Sequence, residues 1–180
     1  MSKFFKTTLF FISVLFLTSC SSDDNSSSTS DDDGGQVPPP QTFTLKEQTF
    51  RLNEGIIQSM DDSETGITTT SVAIAGLNGL TLGTVSFTVF YNTADGIDGT
   101  YTSDEDINFE TAPRIYSSTF SQYFIMQGEE TFESNQAVGP VKITSHGNNE
   151  YTLEFDVEFG DGVKASGNVK KTFTVQAPNF

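Results

Sequence analysis

The sequence predicts an all-β protein. Residues 42–180 read as a single antiparallel sandwich or barrel of about eight to ten short strands. Two observations predict this. First, apolar and polar residues alternate, most clearly where Tyr151, Leu153, Phe155, Val157 and Phe159 interleave with Thr152, Glu154, Asp156 and Glu158. A period of two gives a strand with one buried and one wet face. Second, turn chemistry recurs between such runs, as at His146-Gly147-Asn148-Asn149 and Gly160-Asp161-Gly162. No long helical pattern and no internal repeat competes with this reading.

The elements follow in order. Phe43-Thr44-Leu45 and Thr49-Phe50-Arg51-Leu52 form a small hairpin around Lys46-Glu47-Gln48. Asn53-Glu54-Gly55 breaks it, and Ile56-Ile57 begins again. Thr68 to Ala75 is rich in threonine and β-branched residues, which favour strands. Val85, Phe87, Val89 and Tyr91 alternate with Thr84, Ser86 and Thr88. Residues 114–126 carry two signals. Tyr116, Phe120 and Phe124 are spaced as on a helix face, but Ser117, Ser118, Thr119 and Ser121 are poor helix formers. With strands on both sides, the stretch reads as strand. Val141 and Ile143, then Tyr151 to Phe159, then Val163, Ala165 and Val169 make a three-stranded meander over 140–176. Gly167 interrupts its apolar phase and signals a bulge or a close contact. Phe173 and Val175 form a last strand or continue that one.

The first forty residues carry different information. Lys3 and Lys6 precede an apolar run from Leu9 to Leu17. Such a run is too short to span ~30 Å of hydrocarbon and reads as the core of a secretory signal, residues 1–19. Leu17-Thr18-Ser19-Cys20 then resembles a bacterial lipobox. The resemblance implies that the Cys20 thiol takes a diacylglyceryl group, that the chain is cut before it, and that the new amine is acylated. Lasting attachment needs two such chains or signals. Ser21, Ser22, Asp23 and Asp24 resemble the export signal of Bacteroidetes-type surface lipoproteins, which implies display on the outer face of the outer membrane. The tract from Cys20 to residue 41 is serine, aspartate and glycine, ending in Pro38-Pro39-Pro40. It buries too little apolar surface to offset ordering entropy, so it reads as a disordered tether with a root-mean-square span of about 25 Å. The opening hairpin and the closing Gly-Pro-Val-Lys-Ile, Tyr-Thr-Leu-Glu-Phe and Asp-Gly-Val-Lys-Ala-Ser-Gly segments look like those of uncharacterised lipoproteins of this type. That likeness implies a β-sandwich or calycin-like barrel and carries over no function.

Charge narrows the partners. The chain has nine basic and twenty-four acidic residues; residues 42–180 hold seven and nineteen of them, a net −12. A polyanion repels nucleic acid, so no nucleic-acid partner is expected. The lone cysteine is Cys20, which leaves the folded part without a disulfide or a thiol nucleophile. The lone histidine, His146, lies in a predicted turn, and neither a zinc-protease helix motif nor a serine-hydrolase elbow is present.

The remaining chemistry is carboxylate chemistry. Residues 92–106, NTADGIDGTYTSDED, place Asp95, Asp98, Asp104 and Asp106 near Gly96 and Gly99. Calcium takes six to eight such oxygens, although the spacing does not match the EF-hand loop. No other cofactor is expected. Asp61, Asp62 and Glu64 form one acidic loop, and Glu129, Glu130 and Glu133 another. Sugar rings stack on aromatics; there is no tryptophan, and several of Tyr91, Tyr101, Tyr116, Tyr123 and Tyr151 fall on the apolar phase of strands. Two functions follow as expectations. One is a non-enzymatic surface binding or accessory module, held on the membrane by its lipid anchor and partnering an outer-membrane protein complex or a glycan. The other is a small carboxylate-dependent hydrolase acting on glycans.

Overall fold

The structure is a computed structural model and describes residues 41–105, 107, 109 and 113–177. Its regular elements are twelve strands and one short 3-10 turn at Thr93–Asp95. The strands are β1 (Thr42–Leu45), β2 (Gln48–Asp62), β3 (Ile67–Asn78), β4 (Thr81–Asn92), β5 (Gly99–Asp104) and β6 (Arg114–Ser117). They continue with β7 (Gln122–Gln127), β8 (Glu130–Ser134), β9 (Val141–Gly147), β10 (Glu150–Glu158), β11 (Lys164–Thr172) and β12 (Thr174–Gln176). The all-β expectation holds, with more strands than expected.

The pairings run in a circuit: β2, β1, β11, β10, β9, β5, β6, β4, β3 and back to β2. The circuit is uneven, because β5 pairs with β9 and with β6 over three residues each. The result is one barrel-like sheet rather than a regular barrel. Two pairs, β5–β6 and β12–β2, are parallel, so the sheet is mixed and not wholly antiparallel. Two long strands share an edge between two partners. β4 pairs β7 along residues 81–86 and β6 along 89–91. β2 pairs β1 along 48–51 and β12 along 56–58.

Local details differ from the sequence reading in instructive ways. Asn53-Glu54-Gly55 does not end a strand: β2 runs through it, with a register shift between Leu52 and Glu54 against β3. The extra residue moves the buried phase from Phe50 and Leu52 to Gly55 and Ile57, as a bulge must when side chains alternate. Residues 114–126 are two strands around a turn at Ser118–Phe120. β12 is not an extension of β11. After the buried Phe173 it leaves to pair with β2.

One aromatic core fills the interior. Phe43 stacks on Phe50 with centroids 5.5 Å apart, and Phe87 meets both Tyr116 (5.8 Å) and Phe155 (5.5 Å). So many rings need room, and strand glycines supply it. A Cβ on Gly83 would sit 2.7 Å from the Phe50 ring, on Gly76 2.7 Å from the Phe43 ring, and on Gly167 2.7 Å from the Phe155 ring. The predicted close contact at Gly167 is therefore a phenyl ring lying on bare backbone. Gly76 and Gly83 are register partners, so the stacked Phe43–Phe50 pair lies over a two-strand glycine floor.

Candidate functional site

The proposed calcium ligands are not gathered. Asp98 precedes β5 and Asp104 ends it, so a strand rise of ~3.3 Å per residue sets their backbones about 20 Å apart. The Asp98 carboxylate accepts the Ser145 N–H at 2.5 Å. The carbonyls of Asp95 and Gly96 accept the Arg114 guanidinium at 3.1 and 2.6 Å. The carbonyl of Asp104 accepts the Ser118 N–H at 3.2 Å. Asp106 lies outside the described residues, as do Cys20, Ser21, Ser22, Asp23 and Asp24. Among the described residues, no group of three histidine, cysteine or acidic side chains converges for a metal ion.

The two acid triplets are also apart. Asp62 pairs across to Ile67 and Asn92, whereas Glu130 pairs across to Gln127 and Thr81. Asn92 and Thr81 are opposite ends of β4, so the triplets stand about 36 Å apart along the strands. Carboxylate pairs that cleave glycosides stand ~5–9.5 Å apart. Within the first triplet, Asp61 accepts the Thr68 hydroxyl at 2.7 Å. Asp62 caps its own turn through the N–H of Glu64 at 2.9 Å, and that bond holds its carboxyl below the usual range. Both roles are structural. His146 is exposed and its ring bonds the Thr152 hydroxyl at 2.8 Å. Tyr91, Tyr101, Tyr116 and Tyr123 are core, which removes them as sugar platforms.

A different feature stands out, and the sequence holds its signal. Residues 65–94 contain no Asp, Glu, Lys, Arg or His across thirty positions, and neither do residues 115–128. The fold brings these two charge-free segments together, because β7 and β6 share the outer edge of β4. Inward positions of β3 and β4, such as Val72, Ile74, Val85 and Phe87, are buried. The outward positions form one uncharged strip: β3 from Ile67 to Leu77, β4 from Leu82 to Phe90, and β7 from Gln122 to Met126, in alternate residues. Charges appear only at its borders, with Arg51, Glu54 and Asp62 on β2 and Glu133 on β8.

Local chemistry sets the shape of this strip. The ladder on β4 lapses between β7 and β6, and strip hydroxyls fill the gap: Thr88 donates to the Phe120 carbonyl and Ser86 to the Gln122 carbonyl, each at 3.4 Å. Buried serines tie the same turn together. Ser121 Oγ donates to the Ser117 carbonyl at 2.7 Å, and Ser117 Oγ accepts the Phe120 N–H at 3.2 Å. The turn turns Phe120 outward, 55 % exposed. At the other end, Gly79 with φ of 60° closes the β3–β4 hairpin and leaves Leu80 at its tip, 99 % exposed. Leu77, Leu82 and Met126 lie side by side in register behind it, with Leu77 and Met126 also exposed. Of the seven large apolar side chains exposed among the described residues, four (Leu77, Leu80, Phe120 and Met126) belong to this strip or its ends. Clustered apolar exposure of this kind marks a contact surface more often than scattered exposure does.

No family model, curated protein or solved structure matches the chain. Among the described residues, no helix is long and apolar enough to cross a membrane.

Proposed function

We propose that the chain is a lipid-anchored, non-enzymatic contact module of the outer membrane, displayed on the cell surface. It acts by presenting the uncharged outer face of β3, β4 and β7 to another macromolecule. The observation that supports this best is segregation of charge: residues 42–180 carry a net −12, and none of it lies on that face. Charged groups lose hydration when a partner covers them, and a neutral window avoids that cost. The exposed Leu77, Leu80, Phe120 and Met126 give a partner apolar area to cover. Attachment rests on the lipobox at Leu17-Thr18-Ser19-Cys20, and external display on Ser21, Ser22, Asp23 and Asp24. The tether then holds the folded part clear of the lipid. The separation of the two acid triplets removes the geometric support for glycoside hydrolysis between them.

The test is made on intact cells. Labelled palmitate is expected in the wild type and not in Cys20→Ala, and added protease is expected to cut the wild type without lysis. A photo-cross-linker placed at Ser86, in the middle of the neutral face, is expected to trap a macromolecule, while the same probe at Asp156 on the charged outer face traps none. Equal labelling with Cys20→Ala overturns the anchor, resistance to protease overturns external display, and equal trapping at both positions overturns the contact face.

A further inference from the structure

We propose that Asn78-Gly79, at the tip of the β3–β4 hairpin, is a site of spontaneous covalent modification. There the asparagine is converted to aspartate and isoaspartate. The inference goes beyond the contact-face reading and stands without it.

The chemistry is intramolecular. The Gly79 backbone nitrogen attacks the Asn78 side-chain carbonyl carbon, Cγ. A bond forms between that nitrogen and Cγ, and the bond from Cγ to Nδ2 breaks. Ammonia leaves with the proton that the Gly79 nitrogen gives up. Water then opens the five-membered imide at either carbonyl. One opening gives aspartate; the other routes the main chain through Cβ and gives isoaspartate. Nothing is oxidised or reduced, and water is the sole co-reactant. Glycine hinders the attack least, because it has no Cβ and its backbone turns freely. Asparagine is thermolabile in proteins through this kind of chemistry.

The fold selects this pair. Four pairs of asparagine or aspartate followed by glycine lie among the described residues, at 78–79, 95–96, 98–99 and 161–162. Three are restrained. The Gly96 N–H donates to the Thr93 carbonyl at 3.4 Å. The Asp98 carboxylate accepts the Ser145 N–H at 2.5 Å. The Asp161 carboxylate accepts the Tyr123 hydroxyl at 2.5 Å and the Val163 N–H at 3.1 Å. The Gly162 N–H donates to the Phe159 carbonyl at 2.8 Å. These three are also aspartates, and an ionised carboxylate is a poor target for a nucleophile at neutral pH. Asn78 carries an uncharged amide. Neither that amide nor the Gly79 N–H has a hydrogen-bond partner among the described residues. Gly79 has a φ of 60° and open space where a Cβ would stand. Asn78, Gly79 and Leu80 are all exposed. Exposed tips of this kind are where chains are most open to attack.

The two products differ in consequence. Asn78 pairs with Thr81 and closes a two-residue turn. Aspartate adds a negative charge at the end of the uncharged strip and keeps the turn. Isoaspartate inserts an extra carbon into the main chain where the two strands join. The pairs Leu77–Leu82 and Gly76–Gly83 follow directly behind. Turn length fixes hairpin register, so this form loosens the end of the hairpin.

The experiment incubates the full chain at neutral and at mildly alkaline pH. Peptide mapping by mass spectrometry, with enzymatic methylation to mark isoaspartate, follows each asparagine. Asn78 is expected to react first, and faster at the higher pH, because the attacking nitrogen must lose its proton. Asn78→Gln is expected to lose the modification, since the longer side chain closes its ring more slowly. The isoaspartyl form, separated from the fresh chain by charge, is expected to melt below it, whereas Asn78→Asp melts like the fresh chain. No isoaspartate at 78, equal reaction at Asn148, Asn149 or Asn168, or a rate indifferent to pH overturns the proposal. Reaction at Asn78 only after unfolding in urea overturns the claim that the fold leaves this pair open. An isoaspartyl form that melts like the fresh chain overturns the loosening of the hairpin.

Discussion

The outer faces of the β9–β10–β11 meander and of the β3–β4–β7 region belong to one sheet and share one core, yet they differ in kind. The meander displays Lys142, Lys164 and Lys170 against Glu154, Glu158 and Glu150, at 2.7, 3.9 and 3.0 Å. These three ion pairs are the ones found among the described residues, and all lie on that face. The other region displays threonine, serine, alanine, leucine and phenylalanine. Inside, both regions present the same phenylalanine, valine and isoleucine. A core constrains every strand that lines it, because packing is dense and voids are costly. An outer face is free to specialise, and the meander carries enough charge for the neutral strip to remain uncovered by it.

If the difference is confined to the outside, equivalent core truncations must cost the same on both sides. Phe155→Ala in the meander and Phe87→Ala in β4 touch each other's rings, and each is expected to lose about 3–5 kcal/mol in denaturant titrations with unchanged slope. A cost near zero on one side only would mean that the two regions do not share a core.

The glycine floors sharpen the same point. Gly83→Ala in β4 and Gly167→Ala in the meander each drive a methyl group to 2.7 Å from a ring. Each is expected to cost about 1–3 kcal/mol, read from the shift in denaturation midpoint. A neutral outcome for either shows that its ring can move aside.

Strands β5 and β6 link the two regions, and β5, β6 and β7 each contribute a buried tyrosine. Burial pushes the Tyr116 hydroxyl up to about 12 and raises Tyr101 and Tyr123 as well. A raised folded value means that the phenols stay neutral while an unfolded chain would ionise from pH 10. Stability is therefore full below pH 10 and fades as pH rises from 10 through about 12. Phenolate absorbance is expected to rise together with unfolding, and early absorbance from a still-folded chain would place these hydroxyls in water.

The smallest effect belongs to the charged face itself. Lys142 and Glu154 are half exposed, so Lys142→Ala is expected to cost less than ~1 kcal/mol, and the cost shrinks as salt is added. A larger, salt-insensitive loss would show that the pair supports the fold rather than its solubility.

Much of this was legible in the sequence. The phase of β4, the meander and the burial of the tyrosines follow from alternation, which is local: each side chain's face is set by its neighbours two residues away. The charge-free segments 65–94 and 115–128 are equally plain in the sequence. Alternation within NTADGIDGTYTSDED did not show that a strand separates Asp98 from Asp104. β5 is a strand held by three-residue pairings on either side, a tertiary outcome with little local signal. The β2 bulge was visible only as a break, since the partner strand decides whether a break ends a strand or shifts its phase.

By itself, then, the sequence determined the strand character, the inward residues and where charge is absent, because these depend on composition and on a period of two. Only the tertiary structure decided that two charge-free segments far apart in the chain become one face. That juxtaposition arises because β6 and β7 divide the outer edge of β4, and edge sharing depends on long-range pairing that no window of sequence encodes.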